Sequence, residues 1–149
     1  MFLEFKALLN IPAIGEREAF TPIYLLTRNR LTEATKLLLS NSADPNVLIT
    51  EDITPLHLAA SGGIITELDL LLDWGASINA QDARLRETPL HKAARNLETT
   101  AIQRLCERGA DVDMKNIDNM TYQEVLECAK RYPNDWHVEP KLGSFCSFY

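Results

Sequence analysis

Three residue types stand where they could do chemistry: histidine, cysteine and arginine. His57 and His91 each close a Thr-Pro-Leu-His tetrapeptide, at 54–57 and 88–91. An imidazole can act as acid, base or metal ligand near neutral pH, but each role needs a nucleophile or a second ligand at a fixed offset. None recurs beside both histidines, so the pattern reads as structural hydrogen bonding. Cys106, Cys128 and Cys146 stand 22 and 18 residues apart. An odd number at such gaps is neither a disulfide framework nor a metal-ligand spacing, and plain reduced thiols are expected. Carboxylates are scattered, and solvation is their default role. There is no glycine-rich phosphate loop and no nucleophile motif. No catalytic residue, cofactor or metal site is therefore expected, and the chain reads as a non-enzyme.

The elements that position these residues are visible as self-similarity. Thr21, Thr54, Thr88 and Thr121 head similar segments at intervals of 33, 34 and 33 residues. Such a period marks stacked supersecondary units. Thr before Pro suits a helix start, because the hydroxyl can cap and the proline's missing N–H costs nothing at the first helical position. Ala59-Ala60 and Ala93-Ala94 are small enough for helices to approach closely. A second helix carries leucines at helical spacing, with Leu68, Leu71 and Leu72 matched by Leu37, Leu38 and Leu39. Gly75 and Gly109 follow where a left-handed residue is needed. Stacking such units buries faces that no unit can bury alone.

The segments TPLHLAASGGIITELDLLLDWGASINAQD from Thr54, TPLHKAARNLETTAIQRLCERGADVDMKN from Thr88 and TPIYLLTRNRLTEATKLLLSNSADPNVLI from Thr21 closely resemble the ankyrin repeat. The resemblance covers residues 20 to 131 and implies an all-α solenoid of helix-turn-helix units with hairpin tips. The expected layout is a capping helix over 1–20, full repeats over 21–53, 54–87 and 88–120, a partial capping repeat over 121–132, and an aromatic tail over 133–149. In the first segment Phe2, Phe5 and Leu9 share a helical face that Pro12 limits; it reads as a cap, with a partner-binding helix as the rival. Repeat one departs from the motif with Tyr24 for the histidine, Leu26-Thr27 for the paired alanines and Ser42 for the glycine, which suits an end repeat. In the tail, four of sixteen residues from Asn134 are aromatic. It either folds back over the open end with Trp136 and Phe145 or docks a partner.

What the resemblance implies about function is surface complementarity with a protein, on a concave face made of hairpin tips and first helices. The three tips, 48–53, 81–87 and 115–120, lack the family's tip glycine. Asp52 and Asn119 replace it, and both tolerate positive φ. The middle tip has one extra residue. Exposed Ile53, Leu85, Ile117 and Met120 are candidate contacts, with folding back onto a neighbouring hairpin as the alternative. Arg84, Arg86 and Arg95 form a candidate basic patch. Trp74, the one aromatic residue between Leu25 and Thr121, is either a filler or an anchor.

Composition narrows the partner. The chain of 149 residues carries a net charge of −6, which speaks against nucleic acid. Residues 54–83 hold four acidic and no basic side chains, whereas 84–115 hold seven basic and five acidic. A basic patch on an acidic protein suits an acidic protein segment. No run of 18 uncharged apolar residues is present, so no membrane span is expected, and Glu4 and Lys6 interrupt the N-terminal apolar run. The expectation is an intracellular, cytoplasmic and also nuclear-compatible protein, monomeric when free, that regulates one protein partner by occupancy. The alternative is an obligate non-catalytic subunit of a regulatory complex, such as one controlling a cell-cycle kinase. Size and repeat count are similar to the four-repeat cyclin-dependent-kinase inhibitors and to shortened viral inhibitors resembling IκB.

Overall fold

A computed structural model describes residues 13–14, 19–48 and 52–132. Two residues at the start, β1 (Ala13–Ile14), pair antiparallel with β2 (Ala19–Phe20), Ala13 facing Phe20. This replaces the helix expected up to residue 20 over those positions. The stretch before Pro12, where the apolar face was placed, lies outside the described residues, as does the aromatic tail.

Among the described residues, seven helices follow: α1 (Pro22–Arg28), α2 (Thr32–Ser40), α3 (Pro55–Ser61), α4 (Ile65–Asp73), α5 (Pro89–Arg95), α6 (Thr99–Glu107) and α7 (Tyr122–Arg131). Thr21, Thr54, Thr88 and Thr121 are the N-caps of α1, α3, α5 and α7, each in extended backbone. Proline follows the first three, as the sequence requires. The first helices α1, α3, α5 and α7 stack in that order, and α2, α4 and α6 stack as a second layer. The first layer is the more closely packed. Ala59, Ala60, Ala93 and Ala94, all fully buried, permit that approach.

The core runs through Ile23, Leu39, Leu56, Leu68, Leu71, Leu90 and Leu105. The first repeat contributes less than expected. Leu37 is 64% exposed, and Leu39 and Thr35 are the residues of α2 that are buried. Each repeat has the same three left-handed positions. After the second helix they are Ser42 (φ 71°), Gly75 (88°) and Gly109 (87°). Between the helices they are Arg30 (59°), Gly63 (61°) and Leu97 (60°), and in the tips Asp52 (57°), Arg86 (52°) and Asn119 (61°). Ser42 thus takes a conformation that favours glycine. Arg86 was not foreseen in this role, because the extra residue hides the register of the middle tip.

Thr27 finds its reason here. Its hydroxyl donates to Glu67 Oε1 at 3.1 Å, and both residues are fully buried. Repeats two and three carry alanine at the equivalents of Thr27 (Ala60, Ala94), and Ala34 and Ala101 stand at the equivalents of Glu67. The polar pair therefore replaces an alanine pair across the seam between repeats one and two. Glu67 Oε2 has no hydrogen-bond partner among the described residues. Thr27→Ala is expected to cost about 1–3 kcal/mol, because it strips a buried carboxylate of its partner. Adding Glu67→Ala should recover stability above the single variant. Urea unfolding of both checks this; a double variant less stable than Thr27→Ala would contradict the assignment.

Candidate protein-binding site

The two histidines tie each first helix to the tip that follows. Thr54 N–H donates to His57 Nδ1 at 3.1 Å, and the Thr54 hydroxyl lies 2.9 Å from the same nitrogen. His57 Nε2 lies 3.0 Å from the Glu87 carbonyl oxygen. That oxygen can only accept, so Nε2 carries the proton. His91 repeats the arrangement, with Nδ1 2.8 Å from the Thr88 hydroxyl and Nε2 3.0 Å from the Met120 carbonyl. In repeat one, where Tyr24 replaces the histidine, the Thr21 hydroxyl is buried without a partner among the described residues. In α7, Glu124 takes the histidine's place, and its Oε2 accepts from Thr121 N at 2.7 Å.

Burial lowers the pKa of both His57 and His91 below the ordinary 6.5, outweighing the backbone carbonyls that favour the charged form. A lowered folded-state value means that the unfolded chain binds the proton more readily. Stability is therefore fully present above about pH 6.5 and is lost as pH falls below that value toward the lowered folded values. Urea midpoints at pH 7.5 and pH 5 check this, with the lower midpoint expected at pH 5. A midpoint that rises on acidification would contradict it.

The middle tip is held by a charge cluster at its base. Asp82 Oδ1 accepts from Leu85 N at 2.8 Å and from Glu87 N at 3.3 Å, and Asp82 N donates to the Glu87 carbonyl at 3.0 Å. Lys92 Nζ of α5 bridges Asp82 Oδ2 at 2.6 Å and Glu87 Oε2 at 3.0 Å. Arg95 of the same helix grips Glu87 with both Nε and Nη2. The Glu87 side chain is wholly buried and that of Asp82 nearly so. Burial alone would raise the pKa of Asp82, but Lys92 and the Leu85 and Glu87 amides outweigh it and hold the carboxyl below its ordinary range. Two cations thus meet two carboxylates, and the base of the tip is internally neutral.

This geometry separates the three arginines grouped from the sequence. Arg95 is committed to Glu87. Arg84 and Arg86 are exposed on the tip itself. Among the candidate apolar contacts, Ile117 is 51% exposed, whereas Ile53, Leu85 and Met120 are half-buried. The structure brings Leu85 and Ile117 together, since Ile117 N donates to the Leu85 carbonyl at 2.8 Å. Gln81 Nε2 adds a second link to the Lys115 carbonyl at 3.0 Å. Trp74 is 44% exposed at the end of α4, in the second layer. Sequence reasoning missed Asp82 and Glu87. Their signal was two acids one helix away from Lys92 and Arg95, flanking an enlarged turn.

Cys106 is a free thiol, whereas Cys128 is disulfide-bonded, which corrects the expectation of three reduced thiols. Spacing along the chain cannot reveal such a bond, because Cβ separation decides it. Among the described residues, no group of three side chains could hold a metal ion, and no helix is long and apolar enough to cross a membrane.

A family model described as ankyrin repeats (3 copies) matches residues 5–82 and 23–116. Ankyrin repeat domain-containing protein 37 of Bos taurus is 34% identical over 113 residues, covering 71% of this chain and 71% of that protein. Mouse Rabankyrin-5 is 39% identical over 90 residues, which is 60% of this chain and 7% of that protein. A putative ankyrin repeat protein of fowlpox virus is 33% identical over 99 residues, covering 66% of this chain and 24% of the viral protein. The chain thus spans a small part of the latter two and most of the bovine protein. With the stacked helices, the repeated histidine ties and these matches together, the chain belongs to the ankyrin-repeat family, whose repeats in general mediate protein–protein interaction and are not catalytic.

Proposed function

We propose that this chain regulates one protein partner by occupying it, and that the partner docks on the concave side at the tips of repeats two and three. The observation that carries this reading is the sorting of charge in the middle tip. Its acids are buried against Lys92 and Arg95, while Arg84 and Arg86 face outward on a chain of net charge −6. Affinity purification from the source cell tests it, with wild-type chain and Arg84→Glu/Arg86→Glu as parallel baits. A partner retained by the first and lost by the second is expected; equal recovery on both would remove the tip from the reading.

A second reading, an obligate subunit of a regulatory complex, is favoured by repeat one. That repeat and its seam hold the two buried side-chain polar atoms that lack a hydrogen-bond partner among the described residues, Thr21 Oγ1 and Glu67 Oε2, and expose Leu25, Leu31 and Leu37. A complex controlling a cell-cycle kinase is one host for such a subunit. The purified chain decides between them: a regulator is folded and monomeric alone, and a subunit is marginal or aggregates.

A further inference from the structure

Tip folding needs only turn residues and closed hydrogen bonds, and three features of the rim go beyond that need. Arg86 occupies the left-handed position that Asp52 and Asn119 occupy in the other tips. Asp and Asn adopt that conformation more readily than Arg, so the turn itself does not call for this side chain. Ile117 keeps half its surface in solvent beside Leu85, although its backbone bond to Leu85 needs no side chain. Exposed Lys115 joins Arg84 and Arg86 on the two tips, with the exposed carboxylates of Asp118 and Glu124 on its own side.

We propose that the rim formed by Arg84, Leu85, Arg86, Lys115 and Ile117 is the docking surface for an acidic peptide segment carrying an apolar side chain. The apolar group covers Ile117 and the exposed part of Leu85, and the carboxylates meet the three cations. This deepens the reading of the chain as a protein-binding module and rests on it. Charge complementarity selects the occupant, because the rim is cationic on an otherwise acidic protein. The rim is also preorganised. Leu85 is fixed through its amide by Asp82 and through its carbonyl by Ile117, so little ordering cost is left for binding. Lys92 and Arg95 act as positioning residues that hold Asp82 and Glu87, and they do not contact the peptide.

The test selects short random displayed peptides on the full chain. Selected sequences should be enriched in Asp and Glu beside apolar residues. They should lose about tenfold or more in affinity on Arg84→Gln/Arg86→Gln. Raising salt from about 0.1 M to about 1 M, which shortens the screening length from ~10 Å to ~3 Å, should weaken them too. Arg86→Asn is the sharper variant: it should bind more weakly while melting no lower than wild type, since Asn suits the left-handed position. Arg104→Gln/Arg108→Gln, an equal charge change on α6 and the turn after it, should leave binding intact. Selected peptides lacking acidic residues, or equal losses on both arginine pairs, would overturn the proposal. Peptides that bind but ignore the tip substitutions would overturn it too, while leaving the binding-module reading in place. Tip-dependent binding of a random single-stranded oligonucleotide, tighter than any peptide, would assign the rim to nucleic acid and also overturn it.

Discussion

Replacing both cations at the base of the middle tip, Lys92→Met/Arg95→Met, is expected to be among the most damaging double substitutions in the chain. It leaves Asp82 and Glu87 with no ion-pair partner among the described residues, and the Glu87 side chain has no exposed surface. Removing the partner of a buried ion costs about 3–5 kcal/mol, because the remaining charge has lost its water as well as its pair. Met keeps most of the apolar stem of Lys and Arg, so lost packing is small beside the lost charge. Chemical denaturation measures the loss. Adding Asp82→Asn and Glu87→Gln should restore part of it, since neutral groups are cheaper to bury. A loss below about 1 kcal/mol would show the cluster to be solvated, as surface pairs are.

Leu71→Ala should cost about 2–5 kcal/mol, the range for a large-to-small change in a close-packed core. Leu71 is fully buried in α4, the middle helix of the second layer, between α2 and α6. Coupling in such a stack runs between nearest neighbours, so a cavity in repeat two weakens both seams at once. The variant should therefore lose cooperativity as well as stability. A loss below about 0.5 kcal/mol would contradict its burial, being within the range of ordinary surface substitutions.

The fold was legible because it repeats. Threonine spacing, the proline after it and the buried alanine pairs are local signals that recur, and each of the first helices begins where they place it. The left-handed residues at Gly75, Gly109, Asp52 and Asn119 were legible for the same reason, since side-chain chemistry limits what tolerates that backbone. The departures were harder. Thr27 read as an end-repeat substitution, but it answers Glu67, 40 residues away, and no periodicity announces a pair made by two simultaneous exceptions. Arg95 looked like surface charge because its partner Glu87 lies in the preceding tip, one residue displaced by the insertion. Leu37 looked like core because it opens a run of three leucines, although a helix can turn only part of such a run inward.

The measurement that bears most directly on the central claim is amide hydrogen exchange of the chain with and without the partner recovered from its source cell. Protection on binding should concentrate in residues 81–87 and 115–120 and in the exposed turns of α3 and α5. Helices α2, α4 and α6 should exchange as they do in the chain alone. Protection centred on Trp74 and the second-layer helices, with the two tips unchanged, would contradict the account.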